Sequence, residues 1–201
     1  MLICEYEDKS KYLSETEIID YNHPAVQAFV AEYFDTEKSK QEIVRQAYEF
    51  VRDEIQHSWD IQSPRVTCTA SEVLEYREGI CYAKANLLAA LLRSRTIPTG
   101  FCYQKLTLRD TPESEYVIHA LNAVYLEDLN RWIRLDARGN NESVDAHFSL
   151  DEERLAFPIR AESGEVDYPT IYANPNAMTI AVLRLSSNCL DMYSNGLPDS
   201  L

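Results

Sequence analysis

The chain has 201 residues, 45 % of them hydrophobic, and a formal net charge of −14. That length is enough to bury a full core and fits a single domain spanning residues 1–201. A negative field of this size repels phosphate backbones and argues against a nucleic-acid partner.

No apolar run approaches the roughly 18–20 residues that a membrane helix needs. The opening residues Met1 to Asp8 lack the basic and apolar regions of a signal peptide. Asn22 can cap a helix that starts near Pro24 and carries Val26, Phe29, Val30, Tyr33 and Phe34 on one side. A second helix is expected from about Lys38 to Gln56, with Ile43, Val44, Ala47, Phe50, Val51 and Ile55 as its buried stripe. Thr69-Ala70-Ser71-Glu72 has the form of a capping box and predicts a short helix ending at Gly79. The main helix then starts at Cys81. It is apolar almost all round, which places it at the centre of the fold; Arg93 and Arg95 suit its end, and Pro98 and Gly100 close it.

The period then changes. Phe101–Leu108, Val117–Leu126 and Arg131–Asp136 read as strands, with Asp110–Glu115 as a loop and Glu127–Asn130 as a turn. Further on, Phe148–Leu155 is expected to hold a short helix, Asp167–Pro175 to be extended, and a last helix to follow Pro175. Helices first and antiparallel strands afterwards make an α+β fold, with helices packed on one sheet.

Cys4, Cys68, Cys81, Cys102 and Cys189 are widely spaced, odd in number and without a CxxC pair. That pattern argues against a disulfide framework or a structural zinc site and points to a reducing cytoplasm. His23, His57, His119 and His147 are scattered without HExxH spacing, so neither metal nor cofactor is expected.

Cys81 stands apart from the other cysteines. It follows Gly79-Ile80 and opens a helix, where unpaired N–H groups and the helix dipole favour an anion. A thiolate is the attacking form of cysteine. Taken alone, Cys81 could equally pack as a small hydrophobe. The turn at Glu127–Asn130 places Asp136 opposite Leu121, and therefore on the same face of the sheet as His119, roughly 7–8 Å away along the diagonal. A carboxylate there fixes the ring tautomer and supports an imidazolium, leaving the other ring nitrogen to face Cys81. A slip of one residue would send Asp136 to the other face.

Ala70-Ser71-Glu72-Val73-Leu74, Gly79-Ile80-Cys81-Tyr82-Ala83-Lys84, Leu87 to Arg93 and Ile97-Pro98-Thr99-Gly100-Phe101 together resemble the transglutaminase-like superfamily. Tyr116-Val117-Ile118-His119-Ala120 is similar to that family's histidine motif, and Trp132 to Asn140 to its aspartate motif, in the family's order. The resemblance covers about residues 42–140, the expected core. It implies a papain-like fold with the cysteine on the central helix and the histidine and aspartate on the antiparallel sheet. It implies Cys81 as nucleophile, His119 as general base and then acid, and Asp136 as orienter.

The implied reaction is acyl transfer or hydrolysis of a peptide-like amide through a thioester, as in a transglutaminase or a cysteine protease. A non-catalytic binding module that kept the fold, and an acyltransferase using a small thioester donor, are the alternatives. The Cys81 N–H is one candidate oxyanion donor, and Gln62 or Trp59 the second. Leu121 stands where crosslinking members carry a tryptophan, two after the histidine. Lys84, one turn beyond Cys81, is read either as a charge that helps hold a thiolate or as a solvated side chain. A peptide or protein amide is the expected partner; the sequence sets no oligomeric state.

Overall fold

Caps and apolar stripes set the N-terminal half. The computed structural model describes residues 2–35, 37–108 and 115–201. In chain order its elements are β1 (Ile3–Cys4), α1 (Pro24–Tyr33), α2 (Lys40–Glu54), β2 (Gln56–His57), α3 (Ala70–Tyr76), β3 (Glu78–Gly79) and α4 (Cys81–Ser94). There follow β4 (Thr99–Thr107), β5 (Tyr116–Leu126), β6 (Arg131–Leu135), β7 (Val166–Asp167), β8 (Thr170–Ile171), α5 (Ala177–Leu185) and α6 (Cys189–Asn195). Helix α2 buries the expected stripe together with Tyr48. The capping box of α3 forms in both directions, with Thr69 accepting from Glu72 N–H and Glu72 accepting from Thr69 N–H.

Some boundaries differ from expectation. The cap of α1 is His23, whose Nδ1 accepts from Ala25 N–H at 3.3 Å, because the Asn22 side chain is bonded to Glu15. Helix α3 stops at Tyr76 rather than Gly79: Arg77 takes the left-handed conformation at φ 57° and ends it. Glu78 and Gly79 then pair in parallel with Gln56 and His57. Gly79 has a packing role in this crossing, since a Cβ there would lie 2.9 Å from both Ala83 Cβ and Thr67 Oγ1. Residues 148–155 form no helix. The Ser149 hydroxyl accepts from the N–H groups of Asp151 and Glu152, and His147 N–H donates to Arg154 O, which closes the segment as a loop. The stretch after 166 is extended only as the short strands β7 and β8, and the last helical region is split into α5 and α6 by the caps of Ser186 and Asn188. Asp110–Ser114 of the expected loop lie outside the described residues.

The main sheet has four strands in the order β6-β5-β4-β7, all antiparallel. The β5–β6 register pairs Asn122 with Leu135 and Val124 with Ile133, as the turn predicted. Helix α4 lies against β5 with Tyr82 through Arg93 buried, and α2 and α3 pack on its other sides. A helix buried all round must bury its polar residues too. Asn86 donates to Cys68 O at 2.8 Å, and Arg93 donates to the carbonyls of Ser14, Thr99 and Ala173. Among the described residues no helix is long and apolar enough to cross a membrane.

Candidate active site

The N-terminus of α4 meets the start of β5 at a cavity of about 610 Å³. Cys81 is the first residue of α4 and lines this cavity with His119. The strand pair β2–β3 fixes the approach: Ser58 N–H donates to Gly79 O at 3.3 Å, and Thr67 Oγ1 donates to Glu78 O at 2.9 Å. On the other side, Tyr82 Oη donates to Ile118 O at 2.5 Å and ties the first turn of α4 to the strand that carries His119.

His119 and Asp136 are both buried, and His119 Nε2 lies 2.8 Å from Asp136 Oδ2. Asp136 sits one residue past β6, opposite Leu121 by the register of the pair, so the diagonal expected from sequence brings the two side chains together. Its Oδ1 accepts from Arg138 N–H at 3.2 Å and its Oδ2 also from Ala156 N–H at 3.1 Å. These bonds hold the carboxylate in one orientation. Burial opposes ionisation of Asp136, but His119 and the two N–H groups outweigh it and hold the carboxyl below its ordinary range. Burial likewise opposes an imidazolium at His119. Asp136, bonded to the ring, and Cys81 outweigh that and raise it. With Nε2 on Asp136, Nδ1 is the nitrogen left for the thiol. The Phe157 ring stands edge-on to the imidazole, centroids 5.1 Å apart, and screens it from water.

Around Cys81 the cavity wall is aromatic and charged. Trp59 stacks on Tyr193 at 4.4 Å between centroids. Arg138 donates to both oxygens of Asp60 at 2.5 and 2.7 Å, and Asn141 adds a third bond to Asp60. The cavity lining also includes the apolar side chains of Leu106, Val117, Pro158 and Leu197 and the polar ones of Thr107, Arg160 and Glu165. Glu165 accepts from Thr107 and Arg160 through backbone and side chain alike.

Of the two proposed oxyanion donors, Trp59 lines the cavity. The Gln62 amide is turned back on its own turn and donates to Trp59 O at 2.6 Å, so the structure does not bring it to Cys81. Gln62 is also in the left-handed region at φ 54°. Lys84 is neither solvated nor on the thiol. It is 1 % exposed, and its ammonium donates to Ile55 O at 2.5 Å and Arg52 O at 3.3 Å. His57, which sequence reasoning did not single out, is buried beside Gly79 with Nδ1 3.6 Å from Asp60, beyond hydrogen-bond reach. Burial, and then the charges of Arg138, Lys84 and His119, hold it well below the usual histidine range and therefore neutral. Asp60 follows Trp59 directly and Arg138 comes two after Asp136, so those members were signalled by proximity to motif residues. Tyr193 carried no spacing signal. Among the described residues no cluster of side chains suits a metal ion.

The Transglutaminase-like superfamily model matches residues 27–137, more than half of the chain. The chain belongs to that superfamily. A comparison with curated proteins gives no match. Among solved structures, one from Cytophaga hutchinsonii described as a "Putative Cysteine Protease" is similar at 20 % identity and a TM-score of 0.48 over 66 % of this chain. The chain spans 43 % of that structure's length.

Proposed function

We propose that this chain is a cysteine-dependent acyl-transfer enzyme acting on a peptide-like amide through a thioester. The observation that carries the reading is the buried 2.8 Å pair of His119 Nε2 and Asp136 Oδ2, beside a cysteine at a helix N-terminus in the same cavity. Leu106, Val117, Pro158 and Leu197 line the cavity together with Asp60, Thr107, Arg138, Asn141 and Glu165, a mixed lining that can take the apolar side chains and the polar backbone of a peptide segment.

In this reading His119 Nδ1 takes the thiol proton and Cys81 Sγ bonds to the amide carbonyl carbon. The developing oxyanion is met by the Cys81 N–H, with the Trp59 indole N–H as the candidate second donor. The C–N bond breaks as the imidazolium returns its proton to the leaving amine. Water or an amine then attacks the thioester carbonyl carbon and gives a proton to His119 Nδ1, the C–Sγ bond breaks to release the acid or the new amide, and the imidazolium returns the proton to Cys81 Sγ. Asp136 holds the ring tautomer and balances the imidazolium throughout.

The test is to mix the chain with p-nitrophenyl acetate at neutral pH, quench with acid and read the mass. An acetyl adduct confined to the peptide carrying Cys81, removed by hydroxylamine, is expected. Acetylation spread evenly over lysines and the other cysteines would refute the reading.

A further inference from the structure

Helix α6 is anchored at the cavity, and the residues after it are held far less firmly. Cys189 and Met192 are buried, Cys189 N–H donates to Pro64 O at 2.8 Å, and Tyr193 stacks on Trp59. Gly196 N–H closes the helix on Met192 O. Leu197 then lines the cavity together with Ile118 and His119. Leu197 and Leu201 pack part-buried against the core, while Asp199 and Ser200 are exposed and bond to each other. Among the described residues, the one hydrogen bond from residues 197–201 to the rest of the chain is Ile118 N–H to Pro198 O at 2.8 Å.

That bond falls at an open strand edge. Strand β6 pairs with β5 from Asn122 to Leu126 only, so among the described residues no strand lies beside Tyr116 to Leu121 on that side. Leu108 N–H donates to Glu115 O, and the same alternation along the β4–β5 register turns the N–H and C=O of Ile118 away from β4. The C=O is taken by Tyr82 Oη, and the N–H is the donor that Pro198 fills. A backbone donor on an open edge, one residue from His119 and in the cavity of Cys81, is a place where the carbonyl of an extended peptide can bond.

We propose that residues 197–201 are a strap seated in the peptide-binding cleft: Pro198 O holds the Ile118 N–H in place of a substrate carbonyl, Leu197 stands in place of a substrate side chain, and a peptide enters by displacing them. The inference rests on the reading of Cys81, His119 and Asp136 given above. One hydrogen bond and two part-buried leucines are a weak hold, as expected of a segment that moves for binding. The strap lifts at Gly196, past the end of α6, so Tyr193 can stay stacked on Trp59. A compact reagent reaches Cys81 past the seated strap, and an extended peptide does not. The apparent affinity for a peptide is therefore reduced by the fraction of chains whose strap is lifted.

The test compares two alkylating probes on the full chain: iodoacetamide, and an N-iodoacetyl tripeptide amide with a central leucine. Each forms the same Sγ–carbon bond and expels iodide, so the ratio of their rates at Cys81, read by mass spectrometry, reports access for a peptide. Leu197→Ala is expected to raise the peptide-to-iodoacetamide ratio about tenfold, and to speed hydrogen exchange of the Ile118 amide by a like factor, because one opening governs both. The amides of His119 and Leu121, directed at β4, should keep their protection. An unchanged ratio overturns the proposal. So does a lower one, which would make Leu197 a fixed wall of the peptide site. An Ile118 amide that speeds up with no gain for the peptide probe overturns it as well. Leu201→Ala loosens the strap without touching the cavity lining and must also raise the ratio; failure to do so is a further contradiction. A wild-type Cys81 that lacks fast reaction with iodoacetamide in acid contradicts the reading of the site itself, whereas an unmoved ratio on a reactive Cys81 contradicts only the strap.

Discussion

Replacing Asp136 by Asn is expected to leave a folded chain that has lost about 10⁴-fold of its acyl-transfer rate, the scale seen when a triad orienter loses its charge. All three groups around this carboxylate are donors: His119 Nε2–H, Arg138 N–H and Ala156 N–H. An amide has one oxygen and one NH₂. Whichever way it sits, its NH₂ meets a backbone N–H or forces the ring into the other tautomer, with the proton on Nδ1 where the thiol must be received. The lost bonds cost about 1–3 kcal/mol of stability. The pH dependence of that cost has a definite sign. Asp136 is held low, so its contribution is present above the ordinary carboxylate range and is lost in acid; His119 is raised, so its contribution is full below its ordinary value and is lost as pH climbs. The variant should therefore differ most from wild type at roughly pH 5 to 6.5. Denaturant unfolding across pH and steady-state kinetics on an activated ester together check both parts. Activity within tenfold of wild type would remove Asp136 from the mechanism.

Cys81→Ala is expected to abolish acyl transfer while leaving the fold unchanged. Losing a nucleophile outright costs about 10⁴-fold or more, because no neighbouring group replaces the covalent step. The structural cost is small. Cys81 is only partly buried at the first position of α4, and alanine is the better helix former. A change in stability of about 1 kcal/mol or less is expected. The variant also has a local signature. Burial works against the charged ring, and Asp136 with Cys81 reverses it, so the His119 titration should move down when the sulfur is gone. Proton NMR of the ring, alongside the activity assay, reads this. Retained turnover, or a ring that titrates as before, would contradict the assigned role of Cys81.

The order of elements and the meeting of His119 with Asp136 were legible because both rest on local rules. Thr69 and Glu72 announce α3, the all-round apolar pattern from Ala85 to Leu92 announces a central α4, and strand alternation around the turn at Glu127–Asn130 fixes the β5–β6 register. What was not legible depends on partners distant in sequence. That α4 buries Lys84 follows from its pattern, but the carbonyls of Arg52 and Ile55 that receive the ammonium could be found only in three dimensions. The same holds for Tyr193, brought onto Trp59 by a short helix near the end of the chain. Gln62 looked like an amide donor by type alone, and a tight left-handed turn spends that amide locally. The expected helix at 148–155 failed for a related reason: Ser149 caps a loop that folds back, and the next segment lends Ala156 N–H to Asp136.

The measurement that tests the central claim most directly is the rate of iodoacetamide alkylation of each cysteine as a function of pH, read by mass spectrometry in wild type and His119→Ala. The internal standards are built in: burial pushes the Cys68 and Cys189 thiols up to about 11 and the Cys102 thiol to about 12, and Cys4 is half-buried. A working Cys81–His119–Asp136 centre predicts that Cys81 alone reacts fast well below pH 7 and that this acid reactivity disappears in His119→Ala. Reaction of Cys81 only as pH approaches that of an ordinary thiol, near 8.5, with no change on removing His119, would contradict it.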